Sequence, residues 1–347
     1  MLSLHRSDYG CCNTLLAEQN GLLGPYTEAF FPELVYVRPQ GQIEKRDSLE
    51  GSAFIDFPVD HTVIYPGYRR NTAELGKIQS SIDSVRSDTD ITITSVWLKG
   101  YASPESPYAH NQELAIGRTA ALKKHIQQLY RFEGDVITTD YEPEDWAGLR
   151  RYVERSNLGH REEIIALIDG DLEPDAREWK IKSTYPEEYR FLLQNCYPAL
   201  RRTDYRIAYT IRNYSDVEEI KRIMRERPQK LSLNEFYLVA QEYEPGTDEF
   251  AEVFETAVRM FPDDTVANLN AANAAMRRGD LTGAERYLAK TGDSPEAVYA
   301  RGALAIRQKD YDSARRYLNE AKSLGLEQAA ITLEQLGKND INEYKYH

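Results

Sequence analysis

One stretch of the sequence concentrates residues whose types and spacing suit ligand recognition. It runs Gly100-Tyr-Ala-Ser103-Pro-Glu105-Ser-Pro-Tyr-Ala-His-Asn111-Gln-Glu-Leu114-Ala-Ile-Gly-Arg118-Thr-Ala120-Ala-Leu122. On a helix, Arg118 lies four residues from both Leu114 and Leu122, so it sits on or beside an apolar stripe. A guanidinium placed there requires an anionic partner or hydrogen-bond acceptors. Asn111 stands seven residues earlier, two turns away on the same side. The loop 101–107, with Ser103, Glu105 and two prolines, closes over that end of the helix. These features describe a small polar recess at a strand-to-helix junction.

Other reactive residue types form no catalytic constellation. Glu142, Glu144 and Asp145 beside Trp146 mimic a glycosidase carboxylate pair, but Glu144 and Asp145 read as the acidic first turn of a helix after Pro143. His160-Arg-Glu-Glu lacks the second histidine of a zinc peptidase motif. Cys196 falls on an apolar stripe with Leu192 and Leu193, where thiols are inert. Cys11 and Cys12 are adjacent and poorly placed to bond each other, and three cysteines are too few for a disulfide framework. No phosphate loop, nucleophile elbow or dinucleotide fingerprint is legible. The expectation is a non-enzymatic chain with no metal and no cofactor.

Composition narrows the partners. The balance of 43 Lys+Arg against 56 Asp+Glu gives a net charge of −13, which argues against nucleic acid. No uncharged apolar run approaches the roughly 18 residues of a membrane-spanning helix. The 24 tyrosines gather in strand faces, helical hairpins and the segment 142–200.

The recess needs a strand and a helix to hold it, and the surrounding pattern supplies them. Ala53–Phe57 reads as a first strand. Leu75, Ile78, Ile82 and Val85 mark one face of a helix. Ile91–Leu98 is β-branched and unbroken, as in a strand covered on both faces. A second helix over Tyr108–Tyr130 turns Leu114, Ala121, Leu122, Ile126 and Leu129 inward. Val136–Thr139 and Tyr205–Ile211 are the remaining strands, the latter alternating with period two. The order β-α-β-α-β-insert-β implies an α/β sandwich with right-handed crossovers. Three short helices are expected in the insert, 142–200. Residues 1–50, with strand-like Leu2, Leu4 and Val35-Tyr36-Val37 and no visible signal peptide, read as the end of a truncated β-rich domain.

After Asn213 the pattern is wholly helical, and a repeat appears. Asp280-Leu281-x-x-Ala284-x-Arg286-Tyr287-Leu288 recurs as Asp310-Tyr311-x-x-Ala314-x-Arg316-Tyr317-Leu318, with a weaker copy at Glu249-Phe250-x-x-Val253. Each unit joins a helix of small residues to a second helix. This resembles a shortened tetratricopeptide repeat, whose stacked hairpins share a core. The repeats are assigned to 214–338 and a tail to 339–347.

The stretch from Gly100 to Ala120 resembles the OmpA-like C-terminal domain, the peptidoglycan-associating module of Gram-negative envelope proteins. Gly100, Asn111, Leu114 and Arg118 hold matching places in the pattern G-x-T-D-x-x-G-x-x-x-x-N-x-x-L-S-x-x-R-A. Ala53–Phe57 matches the family's first strand, and Arg201-Arg202-x-x-x-Arg206 its N-R-R-V-E-I segment. The resemblance covers 51–213 apart from the insert. It implies an α+β chain, an OmpA-like βαβαββ sandwich with a helical insert, followed by an all-α repeat. It further implies that Arg118 grips the free carboxylate of a diaminopimelate stem peptide, with Asn111, Leu114, Ser103 and Glu105 around it. The family aspartate that meets the diaminopimelate amine is here Ser103, a neutral hydroxyl, unless Glu105 substitutes. The variant stretch, the insert and the repeat tail together resemble fimbria-associated envelope proteins of anaerobic bacteria. The implied place is the periplasmic side of the outer membrane, in contact with peptidoglycan and, through the repeats, with an envelope or fimbrial protein. The alternative is an assembly scaffold with a degenerate OmpA-like domain that does not bind the wall.

Overall fold

The computed structural model describes residues 2–7, 13–19, 30–41, 44–58, 61–132 and 134–344, with backbone alone for the first two ranges and for 339–344. Cys11 and Cys12, and residues 345–347 of the expected tail, lie outside these ranges. The chain is mixed α+β and divides into two compact units, one of residues 43–213 and one joining 1–42 to 214–347. Among the described residues, no helix is long and apolar enough to cross a membrane.

The chain opens with β1 (Leu2–Ser7) and β2 (Asn13–Gln19), an antiparallel pair in which Leu2 faces Gln19 and Leu4 faces Ala17. These residues therefore have the pairing partner that the sequence pattern did not reveal.

The unit 43–213 is built on a four-stranded sheet ordered β3-β6-β4-β5. Its elements run β3 (Lys45–Ala53), α1 (Asn71–Arg86), β4 (Ile91–Tyr101), α2 (Tyr108–Tyr130), β5 (Ile137–Glu142), five insert helices and β6 (Thr203–Ile211). β6 is antiparallel to both neighbours, while β4 and β5 are parallel. The first strand thus ends where the sequence expectation began it. Beyond Ala53 the backbone turns to α1: Phe54 N–H donates to Glu74 at 2.9 Å and Asp56 N–H to Asn71 at 2.7 Å. Donors engaged by a helix cannot join the ladder. Residues 45–50, expected in a preceding domain, pair with β6 instead.

Helices α1 and α2 cover one face of this sheet. Leu75, Ile78, Ile82 and Val85 of α1 and Leu122 and Ile126 of α2 pack on Val96, Leu98, Tyr205 and Ile207. Each such aliphatic side chain, fully withdrawn from water, contributes about 1.5–3 kcal/mol. The other face of β4 stays half-exposed, with Thr92 and Thr94 open to solvent, so the strand is not covered on both sides. β-branching reflects the pleated backbone as well as burial, and the unbroken run concealed a one-sided strand. On that open face Arg206 lies over Trp97 and Arg202 over Tyr101, at 5.7 and 4.0 Å from the ring centroids.

The insert comprises α3 (Trp146–Arg155), α4 (Arg161–Asp169), α5 (Pro174–Thr184), α6 (Pro186–Asn195) and α7 (Tyr197–Leu200) around Leu149, Val153, Ile164, Ile181, Leu192 and Tyr197. The expected three helices missed α7, a single turn of four residues, and α5, whose only buried residue is Ile181 and which therefore shows no apolar period.

In the other unit the helices are α8 (Val217–Glu226), α9 (Leu233–Ala240), α10 (Asp248–Met260), α11 (Thr265–Arg278), α12 (Leu281–Leu288), α13 (Pro295–Arg307), α14 (Tyr311–Ser323) and α15 (Glu327–Tyr344), with a short 3-10 turn at Pro228–Lys230. The last of these runs through most of the expected tail. The repeated motif has a mechanical meaning. Asp280 and Asp310 cap α12 and α14 by accepting from the backbone of Gly283 and Ser313, while Ala284, Ala314, Leu288 and Leu318 are buried. Gly279, at φ +87°, makes the left-handed turn between α11 and α12.

At Gly100 α2 comes so near to β4 that an added Cβ would overlap the Thr119 hydroxyl and lie 3.2 Å from the Ala115 carbonyl. Gly100→Ala is therefore expected to lower stability by about 1–3 kcal/mol, as overpacking does. Thermal denaturation would show it, and an unchanged midpoint would mean the helix can retreat freely.

Candidate functional site

The buried face of α2 shares Leu122 and Ile126 with the stripe the hydrophobic pattern outlined and differs from it elsewhere. It is formed by Asn111, Ala115, Thr119, Leu122 and Ile126, while Leu129 is exposed and Leu114 and Ala121 are half-buried. Two polar residues on an inward face require internal partners, and both have them. Thr119 Oγ1 donates to the Ala115 carbonyl at 2.7 Å. Asn111 Nδ2 donates to the Ser106 carbonyl at 2.7 Å and to Glu144 Oε1 at 2.9 Å.

Glu144 is the hub of this junction. Trp146 Nε1 donates to its other oxygen at 2.7 Å. Burial pushes its carboxyl above the ordinary value, and the bonds from Asn111 and Trp146 oppose that shift. Glu144 precedes α3 instead of standing in its first turn. Asp145 is the cap residue, accepting from Gly148 N–H at 2.8 Å and pairing with Arg202. Burial by itself would lower the Arg202 pKa, yet hydrogen bonds and charge from Asp145 and then Asp204 hold it raised.

The five residues proposed from sequence are thus divided. Asn111 faces inward and ties the loop to α3. Ser103 is only 2% exposed, and its hydroxyl accepts from Arg201 Nε at 3.0 Å. Glu105 pairs with Arg201 at 2.6 Å. Leu114 is half-buried, one helical turn from both Asn111 and Arg118. Arg118 donates to the His61 carbonyl at 3.4 Å, with its guanidinium 5.0 Å from the Phe57 ring centroid.

Arg118 and Arg201 line one cavity of about 610 Å³, and Arg69, Arg70 and Asp56 share its wall. Arg69 reaches Asp56 at 3.4 Å. Four guanidinium groups and one carboxylate form a wall suited to an anion, because planar donors take carboxylates in pairs of parallel bonds. The helical pattern of the sequence points to Arg118 but not to Arg69 and Arg70. Their adjacency just before α1 was visible, whereas their meeting with α2 depends on the turn at 54–58. Arg201 was noted only as part of the last-strand pattern.

A larger cavity of about 1060 Å³ lies along the insert, lined by Arg151, Arg155, Glu187, Glu188, Phe191 and Cys196 among others. Burial pushes the Cys196 thiol up to about 12, which keeps it protonated and unreactive at neutral pH. At the rim of that cavity the Glu188 carboxylate accepts a hydrogen bond from His160 Nδ1 at 2.5 Å, and this bond holds the imidazole pKa above its ordinary value.

The geometry defines a class: an α+β protein with an arginine-lined recess beside a strand-to-helix loop. No protein-family model matches the chain, and neither does any curated protein.

Asn111→Ala removes the donor to a buried carboxylate oxygen. It is expected to cost about 1–3 kcal/mol in urea unfolding, and to raise the Glu144 pKa further; equal stability would mean that water replaces the amide. For His160, the folded pKa exceeds the unfolded one, so its contribution is complete below the unfolded pKa and is lost as pH rises through the folded value. An NMR titration should show Glu188→Gln moving the His160 midpoint down, and an unmoved midpoint would exclude the pair.

Proposed function

We propose that this is a non-enzymatic cell-envelope protein of the periplasmic side of the outer membrane. Its OmpA-like unit contacts the diaminopimelate-containing stem peptide of peptidoglycan, and its tetratricopeptide-like helices hold an envelope or fimbrial protein. The observation that carries the wall contact is the shared cavity of Arg118 and Arg201, with Arg69 and Arg70 on the same wall. A stem peptide offers both a carboxylate and an ammonium group. The arginines suit the first, and Asp56 in the same wall suits the second. On this reading the acid that meets the amine is Asp56 rather than Ser103, whose hydroxyl is buried under Arg201.

The scaffold alternative has one observation in its favour. Glu105 and Ser103 already satisfy Arg201 from within the chain, so part of the recess is self-neutralised.

Retention on purified peptidoglycan separates the two. Arg118→Ala should lose about tenfold or more of the wild-type affinity, the scale of a charge-assisted hydrogen bond. Equal retention would remove Arg118 from the mechanism, and no retention of either protein would favour the scaffold. Ser103→Asp should give no gain, because the new carboxylate would meet Arg201 first. A clear gain would return the acid to position 103.

A further inference from the structure

Residues 30–41, Phe-Phe-Pro-Glu-Leu-Val-Tyr-Val-Arg-Pro-Gln-Gly, form neither strand nor helix, yet their backbone is gripped with a regular period. Asn270 brackets Val37, its Oδ1 accepting from the Val37 N–H at 2.8 Å and its Nδ2 donating to the Val37 carbonyl at 2.7 Å. Asn273 Nδ2 donates to the Val35 carbonyl at 2.8 Å, and Tyr299 Oη to the Glu33 carbonyl at 2.6 Å. The gripped carbonyls fall at 33, 35 and 37, the period of an extended chain.

Side chains fill separate pockets around this bracket. Phe31 has Arg277 and Arg307 at 5.0 and 4.7 Å from its ring centroid. Tyr36 packs on Phe250 and Phe254, at 5.0 and 5.6 Å between centroids. Arg38 donates to Asn234 at 3.0 Å. Main-chain bonds that supply affinity, with pockets for alternate side chains, are how proteins hold extended peptides. The gripping residues come from α9, α10, α11 and α13. Asn270, Asn273 and Arg277 are spaced three and four apart on one face of α11.

The resident segment does not satisfy this groove completely. Asn273 is 1% exposed, and its Oδ1 is buried without a hydrogen-bond partner, where the neighbouring Asn270 uses both ends of its amide. The Tyr36 hydroxyl is also buried without a partner. An extended ligand that offers an N–H to Asn273 and a ring without a hydroxyl at the Tyr36 place would fit better.

We propose that this groove is a receptor for an extended peptide with aromatic and aliphatic residues followed by a basic one, and that residues 30–41 are its displaceable resident ligand. A partner segment of the same chemistry competes with the chain's own. The inference rests on the helical unit being the partner-binding one, and it is independent of wall contact. A resident competitor lowers the apparent affinity by the fraction of time the groove is free.

The test is titration of a fluorescent peptide with the sequence of residues 30–41 into the full chain. Wild type should bind weakly, and Tyr36→Ala, which alters the resident segment and leaves the groove intact, about tenfold more tightly or better. Adding Asn270→Ala to that variant should abolish the gain. Hydrogen exchange on the wild type guards against a variant that fails to fold. The Val37 amide should exchange at least about 100-fold faster than core amides of α11 and α13, reporting local release. Exchange of Val37 only with the core, or no peptide binding to folded Tyr36→Ala, would overturn the proposal. A concentration-dependent dimer of the wild type would assign the groove to a second copy and overturn it too. Each of these outcomes leaves wall retention unchanged, and a partner held by another face of the helices would survive them.

Discussion

The recess exists because α2 can press its backbone onto β4 at a residue without a side chain. Gly100 admits the Thr119 hydroxyl where any Cβ would stand, and Thr119 closes its own bond to Ala115. With the helix held this close, Asn111 reaches past the loop to Glu144, and the loop carbonyl of Ser106 binds the same amide. Glu144 then carries Trp146, and the adjacent Asp145 carries α3 and Arg202. The insert is therefore attached to the sheet through a chain of buried polar contacts in which each group depends on its neighbour. Such a chain is costly to leave half-satisfied, which is why a single amide can matter to a whole helical layer.

That same junction decides which arginine meets what. Arg118 leaves α2 beside the buried face and comes to the cavity over Phe57, while Arg201 arrives from the end of the insert and is held by Ser103 and Glu105. Electrostatically the result is a cavity wall of guanidinium groups tempered by Asp56. In the helical unit the logic differs. There the grip is on backbone atoms, through asparagine amides that are indifferent to which side chain follows.

Much of the fold could be read from residue patterns. The apolar spacing of α1, the strand β6, the repeated Asp-x-x-x-Ala-x-x-x-Leu of the late hairpins and the change of pattern at 213 each correspond to an observed element. These are local or short-period signals, carried by the side chains that face the core. What escaped had no such carrier. The burial of Asn111 and Thr119 is invisible to a hydrophobic pattern, and so Leu114 and Leu129 were taken for the inward face. Helix α5 buries one residue. Val35-Tyr36-Val37 looked like a strand because an extended chain gripped by asparagines has the same alternation as one paired in a sheet.

Residue types and spacing alone determined that a polar loop enters a helix carrying an arginine, and that helical hairpins with capped starts follow. Those properties depend on neighbours within about two turns. Only the tertiary structure decided that Ser103 is sealed beneath Arg201, that Arg69 and Arg70 join Arg118 around one cavity, and that Val37 rests in the amide of Asn270, 233 residues away in the chain. Which side chains converge is set by how distant segments pack, and no period in the sequence encodes that distance.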